Sequence, residues 1–451
     1  MSLSHTSGEQ SSFNLYGYLS SRLGLGEAAR ITARVLALRG ERFFSADIGP
    51  VVDVTHDSLE AQWNAVDKTA QLTGEINLFH LNPPELLEVL ARVPGAASGL
   101  TSCVNALIPF WELPSLPEDW VPVCSAMDVI LAPTRFVGDA VRRSCPEARI
   151  IQFPQAVYPP RSVAIDRRRW GIDGGAVAFL VAFDVLSDVQ RKNPWGALDA
   201  FRQAFDGRSD VRMVVKAGNA ESAQADRAQL ARLRDVARDD SRVLLIDDSL
   251  SRADLWSLYA SVDVYVSLHR SEGLGLGMLE AMSVGTPVVA TGWSGNVDFM
   301  TGDDSVLVPF DLVPVSGTSI VAYDGQTVGQ LWAEPRQLDA VAALQRLAND
   351  RSALAELGLR AREAAERVRE RQLSGTAFDE LGEMRAAVLA SGEHSQRANG
   401  LGAAAAALRR RRWAVAQLRH LGLKASAPVG EVERALTLLD DAARDRLIKR
   451  P

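Results

Sequence analysis

The segment from His269 to Met300 constrains the fold of this chain more than any other part of the sequence. Within it, Glu272 and Glu280 are separated by seven residues, three of which are glycines. An apolar run typical of a strand precedes the glycines and a helical pattern follows them, so they are predicted to form a strand-to-helix turn. Such a turn presents free backbone N–H groups and the positive end of a helix dipole. The sequence therefore predicts an anion-binding turn with an acid at each end.

The rest of the chain alternates apolar runs with helical patterns in two successive series. The first series begins with an apolar run near residue 13, a glycine loop, and a helical pattern that ends at Gly40. The second series follows the proline- and arginine-rich segment 158–175, which is typical of a linker. Alternation of this kind predicts parallel sheets with helices on both faces. We therefore predict an α/β protein in which two Rossmann-like domains face each other across a cleft.

The end of the chain differs in composition from the two α/β series. Helical patterns continue to about residue 390, whereas residues 392–400 are polar and are expected to form a linker. A basic stretch with a rough apolar stripe follows, which predicts either a helix packed on the body or a helix that contacts anionic lipid. The predicted divisions are a flexible N-terminus at 1–12, an N-terminal domain at 13–165, a C-terminal domain at 166–370, a further helix at 371–392 and a basic helical tail at 393–451.

Composition excludes several classes of protein. A chain of 451 residues is long enough for two or three domains, and a net charge of −7 argues against a general nucleic-acid-binding protein. Three cysteines form neither a metal motif nor a complete disulfide framework, which favours a reducing cytoplasm. No signal peptide and no apolar run of about 18 residues is visible. The expected location is the cytoplasm, with the inner face of the cytoplasmic membrane as an option if the basic tail contacts lipid.

A pair of cations lies at the start of another predicted helix. Arg191 and Lys192 precede Asn193 and Pro194, residue types that suit a helix cap and a first helical turn. In a loop between a strand and a helix, two adjacent cations can neutralise a diphosphate group. The alternative interpretation is a solvated pair on the surface.

These motifs, in this order, resemble family-four glycosyltransferases of the GT-B fold over roughly residues 13–390. The spacing of Glu272 and Glu280 resembles the Glu-x7-Glu signature of that family, and the segment RKNP at 191–194 resembles its diphosphate site. The resemblance implies metal-independent transfer of a sugar from a nucleoside-diphosphate sugar, with retention of anomeric configuration and without any other cofactor. It also implies that the helix at 371–392 crosses back to the N-terminal domain.

The resemblance assigns roles to individual residues. Glu272 is expected to contact the donor sugar, Glu280 the ribose diol, and the glycine loops the phosphates. The predicted catalytic residues are Glu272, Arg191, Lys192, Glu112 and His80. The predicted donor-binding residues are Gly24, Gly26, Leu274, Gly275, Leu276, Gly277, Glu280, Gly295 and Asn296.

The acceptor side departs from the family pattern. In many relatives the strand that ends near Trp111 leads to a histidine that contacts the donor sugar, whereas this chain has Glu112 in that region. Glu112 is the candidate replacement, with a structural capping role as its alternative. His80, at the end of another predicted strand, is a second candidate, and a purely structural role is its alternative. The segment 109–120 is similar to a subgroup that acts on bacterial surface polysaccharides, which implies a glycan or lipid-linked acceptor and favours GDP-mannose or a GDP-deoxyhexose as donor.

Several other functions remain open at the level of sequence. A Rossmann-type NAD-dependent oxidoreductase would carry GxGxxG after its first strand, and the segment RLGLGEAA lacks the third glycine in that position. A sugar epimerase or phosphorylase would share the fold, but we find no motif for a phosphate or cofactor site. A catalytically inactive partner subunit of GT-B shape would also share it, although the acids and cations named above favour an enzyme.

Overall fold

The computed structural model describes residues 11–21, 24–48, 72–92, 96–222, 226–317 and 327–420. Nearly all of the predicted flexible N-terminus, and the predicted tail beyond residue 420, lie outside the described residues. The arginine and apolar side chains of the basic stretch from residue 408 onward also lie outside the described side chains.

The first half of the chain forms a six-stranded parallel sheet with strand order β2-β1-β3-β4-β5-β6. Helices cover both faces, and every residue of β3, β4 and β5 is buried, as expected for a covered parallel sheet. The elements are β1 (Ser12–Gly17), α1 (Gly24–Arg39), β2 (Arg42–Asp47), β3 (Ile76–Phe79), α2 (Pro83–Arg92), α3 (Ala96–Gly99), β4 (Val104–Leu107), α4 (Val121–Ala126), β5 (Val129–Ala132), α5 (Arg135–Ser144) and β6 (Ile150–Gln152).

The second half forms another six-stranded parallel sheet, with strand order β12-β11-β10-β7-β8-β9. A short 3-10 turn, Gly295–Asp298, follows β11. The elements are β7 (Val177–Asp184), α6 (Val189–Lys192), α7 (Pro194–Ala204), β8 (Val211–Gly218), α8 (Arg227–Asp239), β9 (Val243–Ile246), α9 (Arg252–Ser261), β10 (Val264–Ser267), α10 (Leu276–Ser283), β11 (Val288–Thr291) and β12 (Val306–Val308). The two sheets confirm the predicted α/β class.

An antiparallel hairpin and four helices complete the described chain. They are β13 (Phe310–Pro314), β14 (Leu331–Pro335), α11 (Gln337–Asn349), α12 (Arg351–Leu373), α13 (Ala377–Leu389) and α14 (Gly392–His420). The sequence did not predict the hairpin. Next to it, the Gln330 side chain accepts a hydrogen bond from the Ser115 backbone N–H at 2.9 Å and donates to the Ser115 carbonyl at 3.0 Å. The hairpin therefore connects the second domain to the first.

Helices α13 and α14 pack on the first sheet and its helices. Phe378 of α13 makes edge contacts with Phe13 and Phe153, at ring-centroid distances of 5.4 and 5.3 Å. Leu401 and Ala405 of α14 are buried in the core beside α2 and α4. No described helix, including the long α14, has the length and apolar character of a membrane-spanning segment.

The predicted linker at 392–400 is wrong, because this segment is the first part of α14. His394 is fully buried, and its Nδ1 lies 2.9 Å from Asp128 Oδ1. Asp128 also accepts from the Asn105 backbone N–H at 2.8 Å, and the Asn105 side chain accepts from Asn77 at 2.9 Å. Each buried polar group thereby gains a partner, so tertiary contacts override the polar composition of the segment.

Candidate active site

A cavity of about 500 Å³ lies between the carboxyl ends of the two sheets, and we call it the interdomain cavity. Its size is within the range of small-molecule sites, and parallel sheets commonly bind ligands at this edge. Ten residues predicted for the site line it: Gly24, Glu112, Arg191, Lys192, Glu272, Leu274, Gly275, Leu276, Gly277 and Glu280.

The glycine turn after β10 has the geometry that the sequence predicted. Gly275 precedes α10 with φ +91°, a left-handed conformation that side chains disfavour. A Cβ added to Gly273 would lie 2.9 Å from the Trp111 carbonyl oxygen, and one added to Gly277 would lie 2.7 Å from the Tyr265 hydroxyl. Bare backbone at these positions allows the turn to pack closely and leaves the start of α10 facing the cavity.

The cation pair lies on the short helix α6, which two side chains hold in place. Asp188 caps its start by accepting from the backbone N–H groups of Gln190 and Arg191 at 2.8 and 3.1 Å. Asn193 ends it with φ 49° and caps α7 by accepting from Gly196 N at 3.2 Å. These caps fix the direction in which the two cations leave the backbone.

Both cations contact Glu272. Lys192 Nζ donates to Glu272 Oε1 at 2.6 Å, and Arg191 Nη1 lies 3.3 Å from Glu272 Oε2. Arg191 Nη2 lies 3.3 Å from Glu112 Oε1 in the first domain. Glu272 and Glu112 are therefore carboxylate partners of the two cations at the glycine turn.

The local charges determine the ionisation of Glu272. Burial alone would raise the pKa of this carboxyl, but the charges of Lys192 and Arg191 outweigh burial and lower the pKa to about 2. Glu272 is therefore ionised at neutral pH. The site consequently holds an ionised carboxylate in direct contact with two cations.

Glu280 lies at the far end of the glycine turn, deep in the cavity wall. Tyr259 donates its hydroxyl proton to Glu280 Oε2 at 3.0 Å, and Arg252 Nη2 lies 2.8 Å from Glu280 Oε1. Burial raises the pKa of Glu280, and Arg252 offsets only part of this effect. Tyr259 and Arg252 therefore fix the orientation of the Glu280 carboxyl at the cavity wall.

A further part of the cavity is lined by polar groups at the ends of β7 and β8. Asn219 has φ 54° and donates to Asp184 Oδ2 at 2.7 Å. Burial raises the pKa of Asp184 and lowers the pKa of the nearby Lys216. This end of the cavity therefore offers a cationic donor next to carboxyl and amide groups.

The two domains contact each other around the glycine turn. Thr134 of the first domain donates its hydroxyl to the Gly273 carbonyl at 2.8 Å, and Ser271 donates its hydroxyl to the Glu112 carbonyl. Arg135 Nε donates to Asp298 Oδ1 at 3.0 Å outside the cavity. The two domains are therefore in direct contact at the turn, and Glu112 and the cations belong to one site.

Three of the predicted donor-binding residues, Gly26, Gly295 and Asn296, do not reach the surface of the cavity. A Cβ added to Gly26 would lie 2.5 Å from the Tyr18 carbonyl, and one added to Gly295 would lie 2.2 Å from the Gly273 carbonyl. Asn296 is fully buried, with its Oδ1 3.1 Å from His269 Nε2 and its amide donating to the Thr291 carbonyl. None of the three lines the interdomain cavity, so the contacts that the structure gives them are packing contacts within each domain.

His80 lies outside the cavity as well. It follows β3, is fully buried, and stacks on Phe110 with ring centroids 5.5 Å apart. The Gln155 side chain lies beside the ring, but neither ring nitrogen has a partner in hydrogen-bond geometry among the described residues. Burial lowers the pKa of His80 from 6.5 to about 3. The imidazole is therefore neutral, which fits a structural role better than the predicted catalytic role.

Replacing His80 by leucine is expected to reduce the acid sensitivity of the fold. In the wild type, the unfolded chain binds a proton below pH 6.5 whereas the native imidazole stays neutral to about pH 3. The wild type should therefore lose up to about 1.4 kcal/mol of unfolding free energy per pH unit in this window, relative to the variant. Urea unfolding at pH 8, 6 and 5 measures the difference, and parallel pH profiles for the two proteins would contradict it.

The cavity lining includes charged and polar residues that were not predicted, among them Glu27, Lys216, Asn219 and Arg252. Lys216 had a visible signal, since it is a charged residue inside the apolar run of β8. Arg252 lies just after the helix cap Ser251, and nothing in the local sequence reveals that it reaches α1. Within the described ranges, no group of three or more His, Cys, Asp or Glu side chains is arranged to hold a metal ion.

Comparisons with solved structures define the class of this fold. Sucrose-phosphate synthase of Thermosynechococcus elongatus superimposes with a TM-score of 0.58 at 14% identity, over 83% of this chain and 99% of that one. HepE of Anabaena, solved in complex with UDP-glucose, gives a TM-score of 0.57 at 13% identity, over 84% of this chain and 100% of that one. Together with the two facing sheets, these similarities show that the chain has the GT-B fold, as predicted.

The sequence comparison is narrower and points to one family. Residues 184–314, which carry the cations and the glycine turn, match the family described as glycosyl transferases group 1. The matched segment is similar to that family, which agrees with the resemblance found in the sequence, and the solved structures show the GT-B fold.

The similar curated proteins match over a limited length. D-inositol 3-phosphate glycosyltransferase of Mycobacterium leprae is 33% identical over 124 residues, which is 28% of this chain and 27% of that protein. Alpha-maltose-1-phosphate synthase of Mycobacterium tuberculosis is 32% identical over 142 residues, which is 31% of this chain and 36% of that protein. The aligned part thus spans about a quarter to a third of these relatives.

Proposed function

We propose that this protein is a glycosyltransferase that moves a sugar from a nucleoside-diphosphate sugar to an acceptor. The observation that carries the proposal is the cluster of Arg191, Lys192 and Glu272 at the glycine turn, inside a cavity between two domains. The family match over 184–314 covers the same cluster. An anionic diphosphate and a neutral sugar fit a site with two cations, free backbone N–H groups and one carboxylate.

The cluster suits the departure of a nucleoside diphosphate. As the bond to the anomeric carbon breaks, negative charge develops on the leaving phosphate oxygen. Lys192, Arg191 and the start of α10 provide positive charge and N–H donors at one place in the cavity. We propose that these groups stabilise the leaving group without a metal ion.

The carboxylates of Glu272 and Glu112 suit the sugar side of the reaction. Glu272 is ionised and only 7% exposed, so it can hold a sugar hydroxyl in a fixed position. Glu112 enters from the first domain and lies 3.3 Å from Arg191. We propose that Glu112 faces the acceptor side of the transferred sugar and that the anomeric configuration is retained, in line with the family resemblance. NMR assignment of the product anomer tests the retention.

A guanosine diphosphate sugar, such as GDP-mannose or a GDP-deoxyhexose, is the proposed donor. Lys216 offers a hydrogen-bond donor to the base, and the neighbouring Asp184 and Asn219 offer side-chain oxygens as hydrogen-bond acceptors. Guanine presents a matching edge, with O6 as acceptor and N1–H and N2–H as donors. Uracil presents one hydrogen-bond donor fewer on the corresponding edge. The side chains of Lys216, Asp184 and Asn219 can therefore form one more hydrogen bond with guanine than with uracil.

The proposed acceptor is a glycan or lipid-linked glycan of bacterial surface polysaccharide assembly. This part of the proposal rests on the similarity of segment 109–120 to enzymes of that kind and on the basic composition of the chain after residue 396. It implies action in the cytoplasm, at the inner face of the membrane where such acceptors are assembled. Co-sedimentation with vesicles that contain anionic lipid tests the membrane contact.

The first experiment is a thermal-shift panel of UDP, GDP, ADP, dTDP and NAD at matched concentrations, each with and without EDTA. A ligand that binds only the folded state raises the free energy of unfolding and therefore the melting temperature. At a ligand concentration of one hundred times the Kd, the free energy of unfolding rises by about 2.7 kcal/mol. We expect GDP to give the largest shift and EDTA to leave it unchanged. A shift with NAD and none with any nucleoside diphosphate would contradict the proposal and favour an oxidoreductase.

A matched activity assay separates an enzyme from an inactive partner subunit. GDP-mannose incubated with the protein and a polyprenyl-linked glycan acceptor should release GDP at a rate that depends on acceptor. Binding of nucleoside diphosphate without turnover on any acceptor of this class would favour the inactive subunit.

A further inference from the structure

A charged triad crosses the interdomain cavity beside the glycine turn. It consists of Glu27 from α1 of the first domain, and of Arg252 from α9 and Glu280 from α10 of the second. Arg252 Nη2 lies 3.1 Å from Glu27 Oε1 and 2.8 Å from Glu280 Oε1. One guanidinium group therefore bridges a carboxylate of each domain.

The Glu27 end of the triad is fixed to the first domain. Its other oxygen, Oε2, accepts from Arg30 Nε at 3.0 Å and from Arg30 Nη2 at 2.6 Å. Arg30 in turn donates to the carbonyls of Leu19 and Ser21, which follow β1. An opening motion that separates α1 from α9 would therefore break the Glu27–Arg252 contact.

The Glu280 end of the triad faces the place where the proposed function puts the ribose. Glu280 is 3% exposed and lines the cavity, and Tyr259 holds one of its oxygens. Arg252 Nη2 lies 2.8 Å from the other oxygen, so the two groups fix the orientation of the Glu280 carboxyl at the cavity wall. The two carboxylates also repel each other, and Arg252 is the group that separates their charges.

We propose that Arg252 is a positioning residue that couples nucleotide binding at Glu280 to closure of the two domains through Glu27. In the closed form, Arg252 has both carboxylate partners and holds Glu280 for the ribose diol. When the domains open, Arg252 loses Glu27 and its side chain is no longer fixed between the two carboxylates. Nucleotide binding and closure therefore favour each other, and by linkage the coupling is reciprocal. The inference rests on the proposed nucleotide site.

A mutant cycle on the triad tests the coupling, with nucleoside-diphosphate affinity measured by calorimetry. Glu27→Gln and Arg252→Gln should each raise the Kd by about five- to twentyfold, a coupling of ordinary size. The double variant should bind no more weakly than Arg252→Gln alone, because both changes break the same bridge. A direct contact of Glu27 with nucleotide would instead make the two effects additive, and that result would overturn the proposal.

Kinetics and a control variant separate coupling from a structural role. Arg252→Lys retains the charge but has a shorter side chain, whose nitrogen should not reach the position from which Arg252 Nη2 contacts both carboxylates, so it should raise the donor KM more than it lowers kcat. Arg135→Gln removes another interdomain ion pair, outside the cavity, and should leave the nucleotide Kd within about twofold. A lower melting temperature for the triad variants with unchanged Kd would show a structural role and contradict the inference.

Small-angle scattering provides the conformational measurement. Nucleoside diphosphate should reduce the radius of gyration of the wild type more than that of Glu27→Gln at saturating ligand. Failure of the wild type to bind any nucleoside diphosphate would refute the proposed function itself. Normal binding with equal compaction of both proteins would refute only the coupling.

Discussion

Replacing Glu272 by glutamine should lower turnover by at least about a hundredfold while it strengthens the binding of nucleoside diphosphate. Turnover falls because the variant loses the ionised group that holds the sugar. Diphosphate binding tightens because Glu272, which lies 2.6 Å from Lys192 and 3.3 Å from Arg191, competes with the diphosphate for both cations. Single-turnover kinetics and calorimetry with the nucleotide product measure the two effects.

The stability of the same variant provides an internal check. Without ligand, the variant lacks the carboxylate that Lys192 and Arg191 contact, and breaking a buried ion pair lowers the unfolding free energy by up to about 3–5 kcal/mol. Bound diphosphate replaces the lost charge, so the nucleotide-induced rise in melting temperature should be larger in the variant than in the wild type. Equal loss of turnover and of nucleotide binding would show that Glu272 is structural and would contradict the assignment.

Replacing Lys192 by alanine should have the opposite effect on nucleotide binding. The ammonium group is the cation closest to Glu272 and lines the cavity, so its loss removes a charge-assisted contact to the diphosphate, worth about 1.5–3 kcal/mol. The Kd of the nucleotide product should rise by roughly ten- to a hundredfold, and kcat should fall with it because the leaving group loses stabilisation.

Arg238 provides the matched control for Lys192. It is an exposed cation on α8, paired only with neighbouring exposed acids, and its replacement by alanine should change neither Kd nor kcat. Equal nucleotide affinity of the Lys192→Ala variant and the wild type would exclude diphosphate binding at this residue. The double variant with Glu272→Gln should bind more weakly than Glu272→Gln alone, because the freed cation is then absent.

Local motifs predicted the parts of the site that lie on one segment. The glycine turn and the RKNP segment have short spacing and clear residue chemistry, and the structure brings Glu272, Arg191 and Lys192 together. Gly26 and Gly295 show the limit of this reasoning, since a glycine needed for close backbone packing has the same sequence signature as one that faces a phosphate.

Contacts between distant segments were beyond the sequence. Arg252 and Glu27 are 225 residues apart, and only the folded arrangement of the two domains shows that they meet. The segment 392–400 appeared to be a linker because it is polar, whereas burial of His394 against Asp128 makes it helical. Tertiary contacts of this kind, which satisfy buried polar groups, are not encoded in local propensity.

The packing of α13 and α14 on the first sheet has a consequence for biosynthesis. The first domain is assembled from both ends of the described chain, since Phe378 and Leu401 belong to cores that also contain Phe13 and Tyr16. During translation, the second domain can complete its own core before these helices leave the ribosome, although its sequence comes later than that of the first sheet. The domain that is synthesised first is therefore completed last. Part of its apolar surface stays uncovered until α13 and α14 pack on it.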